Sequence, residues 1–266
     1  MSAADVSSAR RARLELLGNL VWRDLTLRYR GTVLGFAWPA VTAILVLAVY
    51  TVVFTSVFKP RFWSGGAPEL FALHLFGGLI PFWVVTEVLN RAPNAVLMVP
   101  NYVRKAIFPV HLLAPALVGA ALLPSLIAVA ILAVAALWGL KVGPMFLWTL
   151  PVAYLPLALL GLALAWLLAA LGVYLRDLSH AMAVISQMLL FGSPVLYPLE
   201  AAPDWLQTPL QFNPLTHVIG CFRWSLVGGP MPNWTGYVIV CAVLAVLAWV
   251  AYRVFERLRG GFADQL

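Results

Sequence analysis

The chain has 266 residues, 63% of them hydrophobic and only 10% charged, whereas soluble domains carry about 25% charged residues. This composition excludes an ordinary soluble domain and predicts a protein whose main solvent is lipid. The net charge of +7 would indicate a nucleic-acid partner in a soluble protein, but membrane proteins concentrate lysine and arginine on their cytoplasmic side. The two cysteines, Cys221 and Cys241, lack the spacing of a metal site or a disulfide framework.

The N-terminal residues 10–30 predict a basic amphipathic helix. Leu14, Leu17, Val21 and Leu25 recur at helical spacing. The polar side carries Arg10, Arg13, Arg23, Arg28 and Arg30. A long apolar segment follows directly, which favours a helix lying in the membrane interface over an ordinary soluble helix. Because no unbroken apolar stretch precedes the first span, we expect no cleaved signal peptide.

Six apolar segments then predict an all-α membrane protein with six transmembrane helices. A helix needs about 20 apolar residues to cross the bilayer core, and the fifth segment is short for that purpose. The predicted spans are residues 33–58, 70–90, 112–140, 145–174, 181–194 and 234–252.

Residues 195–232 form an apolar segment that prolines and a glycine pair interrupt repeatedly. The pattern predicts a re-entrant hairpin of two short helices that enter one face of the membrane and return. Irregular backbone at membrane depth must be buried in protein or line a cavity. We therefore expect this external hairpin at the mouth of a pathway or at a subunit interface.

The distribution of basic residues predicts the orientation. With six spans, both termini share one side, and that side carries all but four of the 17 basic residues. The positive-inside rule then places both termini in the cytoplasm. A full crossing by residues 205–227 would put the basic tail outside and weaken the asymmetry. The four basic residues on the other side are Lys59, Arg61, Lys141 and Arg223.

Glu87 is the main ionisable candidate inside a predicted span. It precedes Arg91 by four residues, the favourable order for a helical ion pair, so we favour structural pairing over a proton relay. Ion-coupled transport normally needs several intramembrane charges. Energy for transport is therefore expected from another chain.

Catalytic and nucleotide-binding motifs are missing from the sequence. It contains no G-x-x-x-x-G-K-[ST], H-E-x-x-H or G-x-S-x-G pattern. We expect no catalytic residue, no metal site and no cofactor bound by the chain itself. The four histidines are scattered without ligand spacing, at His74, His111, His180 and His217.

Residues 91–111 form a predicted cytoplasmic loop that is too long for a plain turn. A short helix-like stretch, residues 99–108, lies between prolines and could dock into a partner protein. The alternative is a surface loop that Arg104 and Lys105 anchor to anionic lipid.

Six aromatic residues, Phe82 and Trp83 among them, lie well inside the predicted spans or beside the hairpin, and the other four are the candidates to line a pathway. Aromatic faces stack against the C–H faces of sugar rings, so these side chains could line a glycan pathway. Packing of these aromatic side chains against lipid is an equally favoured alternative, since aromatic residues also form interfacial belts. The four candidates are Tyr50, Phe54, Phe191 and Tyr197.

Several segments resemble permease subunits of polysaccharide and polyol-phosphate ABC exporters, which export O-antigen, teichoic acid or capsule glycans. The segments occur in the family's order and together extend over nearly the whole chain. They are RDLTLRYRGTVLGFAWP (23–39), NYVRKAIFP (101–109), YLRDLSH (174–180), SPVLYPLE (193–200), FNPLTHVIGCFRWSLVGG (212–229) and RLRGGFADQL (257–266).

The resemblance implies a homodimer in the cell's inner (cytoplasmic) membrane, joined by two copies of a separate ATPase that binds ATP and Mg²⁺. The substrate would be a glycan on a polyprenyl pyrophosphate lipid. By this similarity the lipid pyrophosphate would meet Arg23, Arg28 and Arg30, because arginine forks suit phosphate oxygens. Coupling to the ATPase would involve Asn101, Tyr102, Arg104 and Lys105.

Two other functions stay open at this point. A type-2 ABC permease could export a drug or a lipid in place of a glycan. A membrane-embedded enzyme acting on polyprenyl lipids would need a convergent cluster of acids or histidines, which the scattered positions do not supply.

Overall fold

The computed structural model describes residues 3–58, 68–100, 108–140 and 146–265. All regular secondary structure in these ranges is helical, which confirms the predicted all-α class. The helices are α1 (Ala3–Tyr29), α2 (Trp38–Val52), α3 (Pro68–Arg91), α4 (Leu113–Leu140), α5 (Phe146–Tyr174), α6 (Leu178–Phe191), α7 (Asp204–Phe212), α8 (Pro214–Val227), α9 (Trp234–Leu258) and α10 (Phe262–Gln265).

Five stretches of the described chain are long and apolar enough to cross a membrane. They are Gly35–Ser56, Leu70–Asn94, Val110–Trp138, Trp148–Tyr174 and Trp234–Gln265. The predicted span at residues 181–194 falls in α6, whose 14 residues extend only about 21 Å, less than the ~30 Å hydrocarbon core. Length and composition therefore give five candidate spans, where the sequence pattern predicted six.

Helix α3 lies at the centre of the bundle. Helices α4, α5, α6 and α8 pack around it, and 78% of its span is buried. Phe76, Ile80 and Val88 have no exposed surface. A helix surrounded on all sides needs apolar residues all round, which is the pattern of this segment.

One end of the bundle, here called the termini end, collects the last turns of α3, α5 and α9 and the start of α4. A small apolar cluster that includes Val110, Val173, Phe255 and Phe262 holds it together. The Tyr174 hydroxyl donates to the carbonyl oxygen of Leu258 at 3.0 Å. The C-terminal residues therefore lie at this end of the bundle, and the contact of Asp24 with Arg91 brings the C-terminal half of α1 to it.

The opposite end, here called the hairpin end, is formed by α8, which packs against the first turns of α3, α5 and α9, and by α7, which packs on α8. The Asn213 side chain accepts the N–H of Leu215 at 3.0 Å, which caps α8, and donates to Ser193 Oγ at 2.8 Å. Gly228, at φ +70°, ends α8 in the left-handed conformation. Two short helices thus occupy residues 204–227.

Helix α2 makes few contacts within the chain. Only 6% of its span is buried, and Ile44, Leu45, Val49 and Val52 point outward. The outer face of α9 is similarly apolar, and 22% of its span is buried. Apolar surface of this extent requires lipid or another protein as its neighbour.

Candidate functional site

A chain of ion pairs joins the N-terminal helix α1 to the end of α3. Arg28 donates to the Glu87 carboxylate, which also accepts Arg91 Nη1 at 3.1 Å. Arg91 Nη2 reaches Asp24 Oδ1 at 2.6 Å. The predicted pair between Glu87 and Arg91 is therefore confirmed, and the structure adds Arg28 and Asp24 at its two ends.

This network neutralises its own charges. Two guanidinium groups alternate with two carboxylates, and their side chains are 22% to 32% exposed. Partial burial lowers the effective dielectric, so each attraction exceeds that of a fully solvated pair. Arg28 and Arg91 thus balance the negative charge of Glu87, and the network holds α1 against α3.

A cavity of about 600 Å³, here called the interface cavity, lies beside the network between α1, α3 and α4. Its polar lining is formed by Arg23, Asp24, Asn90, Arg91 and Asn94, and the rest of its wall is apolar. A pocket with an apolar wall and convergent polar groups is the usual form of a small-molecule site.

The three arginines predicted to meet a pyrophosphate have different surroundings. Arg23 lines the interface cavity, Arg28 is engaged by Glu87, and Arg30 is exposed at the end of α1. The structure therefore does not gather them into one cluster around a common point. Among the described residues it brings Arg23 together with Arg91, which the sequence pattern treated only as a partner of Glu87.

The four predicted pathway aromatics form two separate pairs. On α2, Tyr50 and Phe54 have ring centroids 6.0 Å apart, and Phe54 packs edge-on against Phe71 of α3 at 4.9 Å. At the hairpin end, the Tyr197 hydroxyl donates to the carbonyl oxygen of Phe191 at 2.8 Å, while the Phe191 side chain is 68% exposed. None of the described ring contacts joins the two pairs.

The predicted coupling residues Asn101, Tyr102, Arg104 and Lys105 lie outside the described residues. The chain on both sides of them is well packed. Val96 and Val110 are buried in the apolar cluster at the termini end. Both ends of this loop are therefore fixed to the last turns of α5 and α9.

A buried arginine fastens the hairpin to α3. Arg223 on α8 donates through Nε to the carbonyl oxygen of His74 at 3.1 Å and through Nη2 to that of Val195 at 2.8 Å. A Cβ at Gly78 would lie 3.0 Å from Arg223 Nη2, so the small residue leaves room for the guanidinium. The sequence pattern treated Arg223 only as a charge on the external side.

Residues 15–227, from α1 to the end of α8, match the family model described as ABC-2 type transporter. The chain belongs to the ABC-2 type transporter family. Family membership makes it a multi-pass membrane protein and a transport subunit, with ATP hydrolysis in a separate partner chain.

Similar proteins of this family include two named for polysaccharides. The O-antigen export system permease protein RfbA of Myxococcus xanthus is 30% identical over 94% of this chain and 95% of its own length. The polysialic acid transport protein KpsM of Escherichia coli is 24% identical over 79% of this chain and 80% of its own. The daunorubicin resistance ABC transporter permease protein DrrB1 of Streptomyces coeruleorubidus is 28% identical over 39% of this chain and 38% of its own.

The part of the chain that matches the ABC-2 family model includes the ion-pair network and α8, since Asp24, Glu87 and Arg223 all fall within residues 15–227. No group of three or more His, Cys, Asp or Glu side chains that could hold a metal occurs among the residues described.

The ion pair between Arg28 and Glu87 should be measurable by a double-mutant cycle. We expect Arg28→Ala and Glu87→Ala to be coupled by about 1 kcal/mol in thermal or denaturant unfolding, because either change leaves the other charge partly buried and without its partner. The control is a cycle of Glu87→Ala with Arg11→Ala, since Arg11 is an exposed arginine on the same helix as Arg28; it should give no coupling. Equal coupling in both cycles would contradict a direct ion pair.

Proposed function

We propose that this chain is the membrane-spanning permease of an ABC exporter that moves a polyprenyl-pyrophosphate-linked polysaccharide across the cytoplasmic membrane. The observation that carries the proposal is the end-to-end similarity to an O-antigen export permease, which extends over 94% of this chain and 95% of the relative. The similarity to a drug-resistance permease extends over only 39% of the chain. A glycan substrate is therefore preferred to a drug.

The proposed topology has six crossings, a re-entrant hairpin at residues 195–232 on the external side, and both termini in the cytoplasm. In this arrangement α6 makes the fifth crossing together with the residues that flank it. The contacts of Arg223 with His74 and Val195 support the arrangement, since they tie α8 to the same end of the bundle at which α6 ends. The excess of basic residues at the termini end supports the orientation.

Cysteine labelling tests this topology. In a chain with Cys221→Ala and Cys241→Ala, a cysteine in place of Trp205, which is 75% exposed on α7, should react with a membrane-impermeant maleimide in intact cells. A cysteine in place of Gly260, near the C-terminus, should react only after the membrane is permeabilised. Reaction of both positions from the same side would rule out the proposed arrangement.

The assembly is proposed to be a homodimer with two nucleotide-binding ATPase subunits. The exposed apolar faces of α2 and α9 support a second membrane-embedded copy, because such faces require a neighbour. The ATPase would dock on the cytoplasmic loop through Asn101, Tyr102, Arg104 and Lys105. The packed ends of that loop would pass its displacement to α5 and α9.

The lipid pyrophosphate is proposed to enter at the interface helix, where Arg23, Arg28 and Arg30 supply guanidinium forks. Arg28 would have to exchange Glu87 for a phosphate oxygen, and Arg91 would then hold Glu87 alone. The sugar chain would pass the aromatic residues Tyr50, Phe54, Phe191 and Tyr197.

The test is co-purification of the permease with its ATPase, followed by ATPase measurements in nanodiscs. A polyprenyl-pyrophosphate-linked glycan should stimulate hydrolysis, and polyprenyl phosphate without sugar should stimulate it less. Stimulation by daunorubicin or by phospholipid, with no response to the lipid-linked glycan, would replace this proposal by a drug or lipid permease.

A further inference from the structure

A second and larger cavity, of about 1120 Å³, lies at the hairpin end. It is lined by the hairpin, the start of α3, Pro156 of α5 and the start of α9. It lies apart from the ion-pair network and the interface cavity. Its volume exceeds the ~300–1,000 Å³ of ordinary small-molecule sites, so a chain segment several units long would fit.

Arg223 lines this cavity and can only donate hydrogen bonds. Its side chain belongs to the buried set, and its bonds to His74 and Val195 use two of the five N–H donors of a guanidinium. Within the described part of the chain, no carboxylate lies within 4.0 Å of it. A buried guanidinium with unused donors favours an acceptor in the adjacent space.

Glu200 lines the same cavity and, when ionised, can only accept. It is close enough to stabilise the charge of Arg223, yet too far away to form an ion pair with it. The cavity therefore presents a donor-only group and an acceptor-only group with space between them. A group that both accepts and donates would satisfy the two together.

Thr216, on the first turn of α8, adds a third polar group. The residue is 8% exposed, and its hydroxyl oxygen is buried with no hydrogen-bond partner among the described residues. Leaving a buried hydroxyl unsatisfied costs free energy. Thr216 lines the cavity, so a rotation of its side chain toward the cavity would bring the hydroxyl to an occupant that supplies the missing bond.

We propose that this cavity binds hydroxyl groups of a saccharide, as a subsite on the external side of the membrane. Sugar hydroxyls both donate and accept, so neighbouring hydroxyls can accept from Arg223, donate to Glu200 and pair with Thr216. A simple anion would meet the Glu200 carboxylate, and a simple cation would meet the Arg223 guanidinium. The proposal rests on the proposed function, which supplies a polysaccharide emerging on this side.

Photo-crosslinking of the full-length permease with its ATPase, in cells that make their own surface polysaccharide, tests the site. A benzoylphenylalanine in place of Ala201, which lines the cavity, should capture carbohydrate that periodate staining detects on the purified chain. The same probe in place of Trp205, exposed on α7 outside the lining, should capture none.

Side-chain variants then connect the capture to two of the three polar groups, Thr216 and Glu200. Thr216→Val and Glu200→Leu should each lower the carbohydrate yield at position 201 by about tenfold, as expected for the loss of a hydrogen bond. Thr216→Ser keeps the hydroxyl and should keep the yield, which separates hydrogen bonding from packing. Equal yields in all three variants would overturn the assignment.

A probe in place of Tyr50 on α2 distinguishes failure of the subsite from failure of the proposed function. Carbohydrate captured at position 50 but not at position 201 would overturn the subsite and leave glycan export standing. No carbohydrate at either position would count against both. Phospholipid captured at position 201 would show a lipid-filled groove and would also overturn the subsite.

Discussion

Replacing Gly172 by alanine is expected to destabilise the permease severely. Gly172 on α5 lies against the turn at Ala92–Asn94, and a Cβ there would overlap the backbone of Pro93. Backbone atoms cannot move aside as a flexible side chain can, so α5 and the turn must separate. We expect a loss of roughly 3 kcal/mol or more in folding free energy, the range of severe overpacking.

Size-exclusion chromatography of a fluorescent fusion in detergent, with thermal unfolding of any recovered protein, measures this effect. The matched control is Gly18→Ala on α1, where a Cβ would meet nothing within 4 Å. That variant should keep its monodisperse peak and gain slightly, since alanine favours a helix by about 0.5–1 kcal/mol. Equal behaviour of the two variants would show that α5 does not approach Pro93 so closely.

Reversing both charges of the coupling loop, with Arg104→Glu and Lys105→Glu, is expected to lower substrate-stimulated ATPase activity and export by tenfold or more. If this loop receives the ATPase, two reversed charges in the contact replace attraction with repulsion, and like charges across an interface cost several kcal/mol. The amount of permease in the membrane should stay the same. Quantitative co-purification of the ATPase and export of surface polysaccharide in cells measure the two effects.

The control for this prediction reverses two exposed arginines near the two termini, with Arg11→Glu and Arg257→Glu. It removes the same number of positive charges from the predicted cytoplasmic side, so any general effect on insertion appears in both variants. In the control, we expect near-normal co-purification of the ATPase and near-normal export of surface polysaccharide. Full export by the Arg104 and Lys105 variant would remove the loop from the proposed ATPase contact.

Periodic features of the chain could be predicted from the sequence, because helical spacing and apolar length are local properties. The N-terminal helix and the pair formed by Glu87 and Arg91 are of this kind. The partners across helices were missed: Arg28 and Glu87 are 59 positions apart, and Asp24 and Arg91 are 67 apart. No local pattern reports which helices will lie side by side.

The role of Arg223 shows a second limit of sequence reasoning. From the sequence, a lone arginine in this apolar segment predicts a charge at the external membrane surface. The structure instead buries it, because two backbone carbonyl oxygens and the space beside Gly78 receive the guanidinium. Gly172 likewise carried no signal, since a close approach of two backbones depends on the packed bundle.

The contrast between α2 and α3 has a consequence for how the chain is made. The span that includes α2 has a mean hydropathy of 2.1 and is 6% buried, so it can leave the translocon and partition into lipid without help from later segments. The span that includes α3 has a mean hydropathy of 1.6, contains Glu87 and is 78% buried. Its stable residence in the membrane depends on helices that are synthesised after it. Biogenesis of this permease is therefore expected to pause with α3 held near the translocon until α4 and α5 emerge to enclose it.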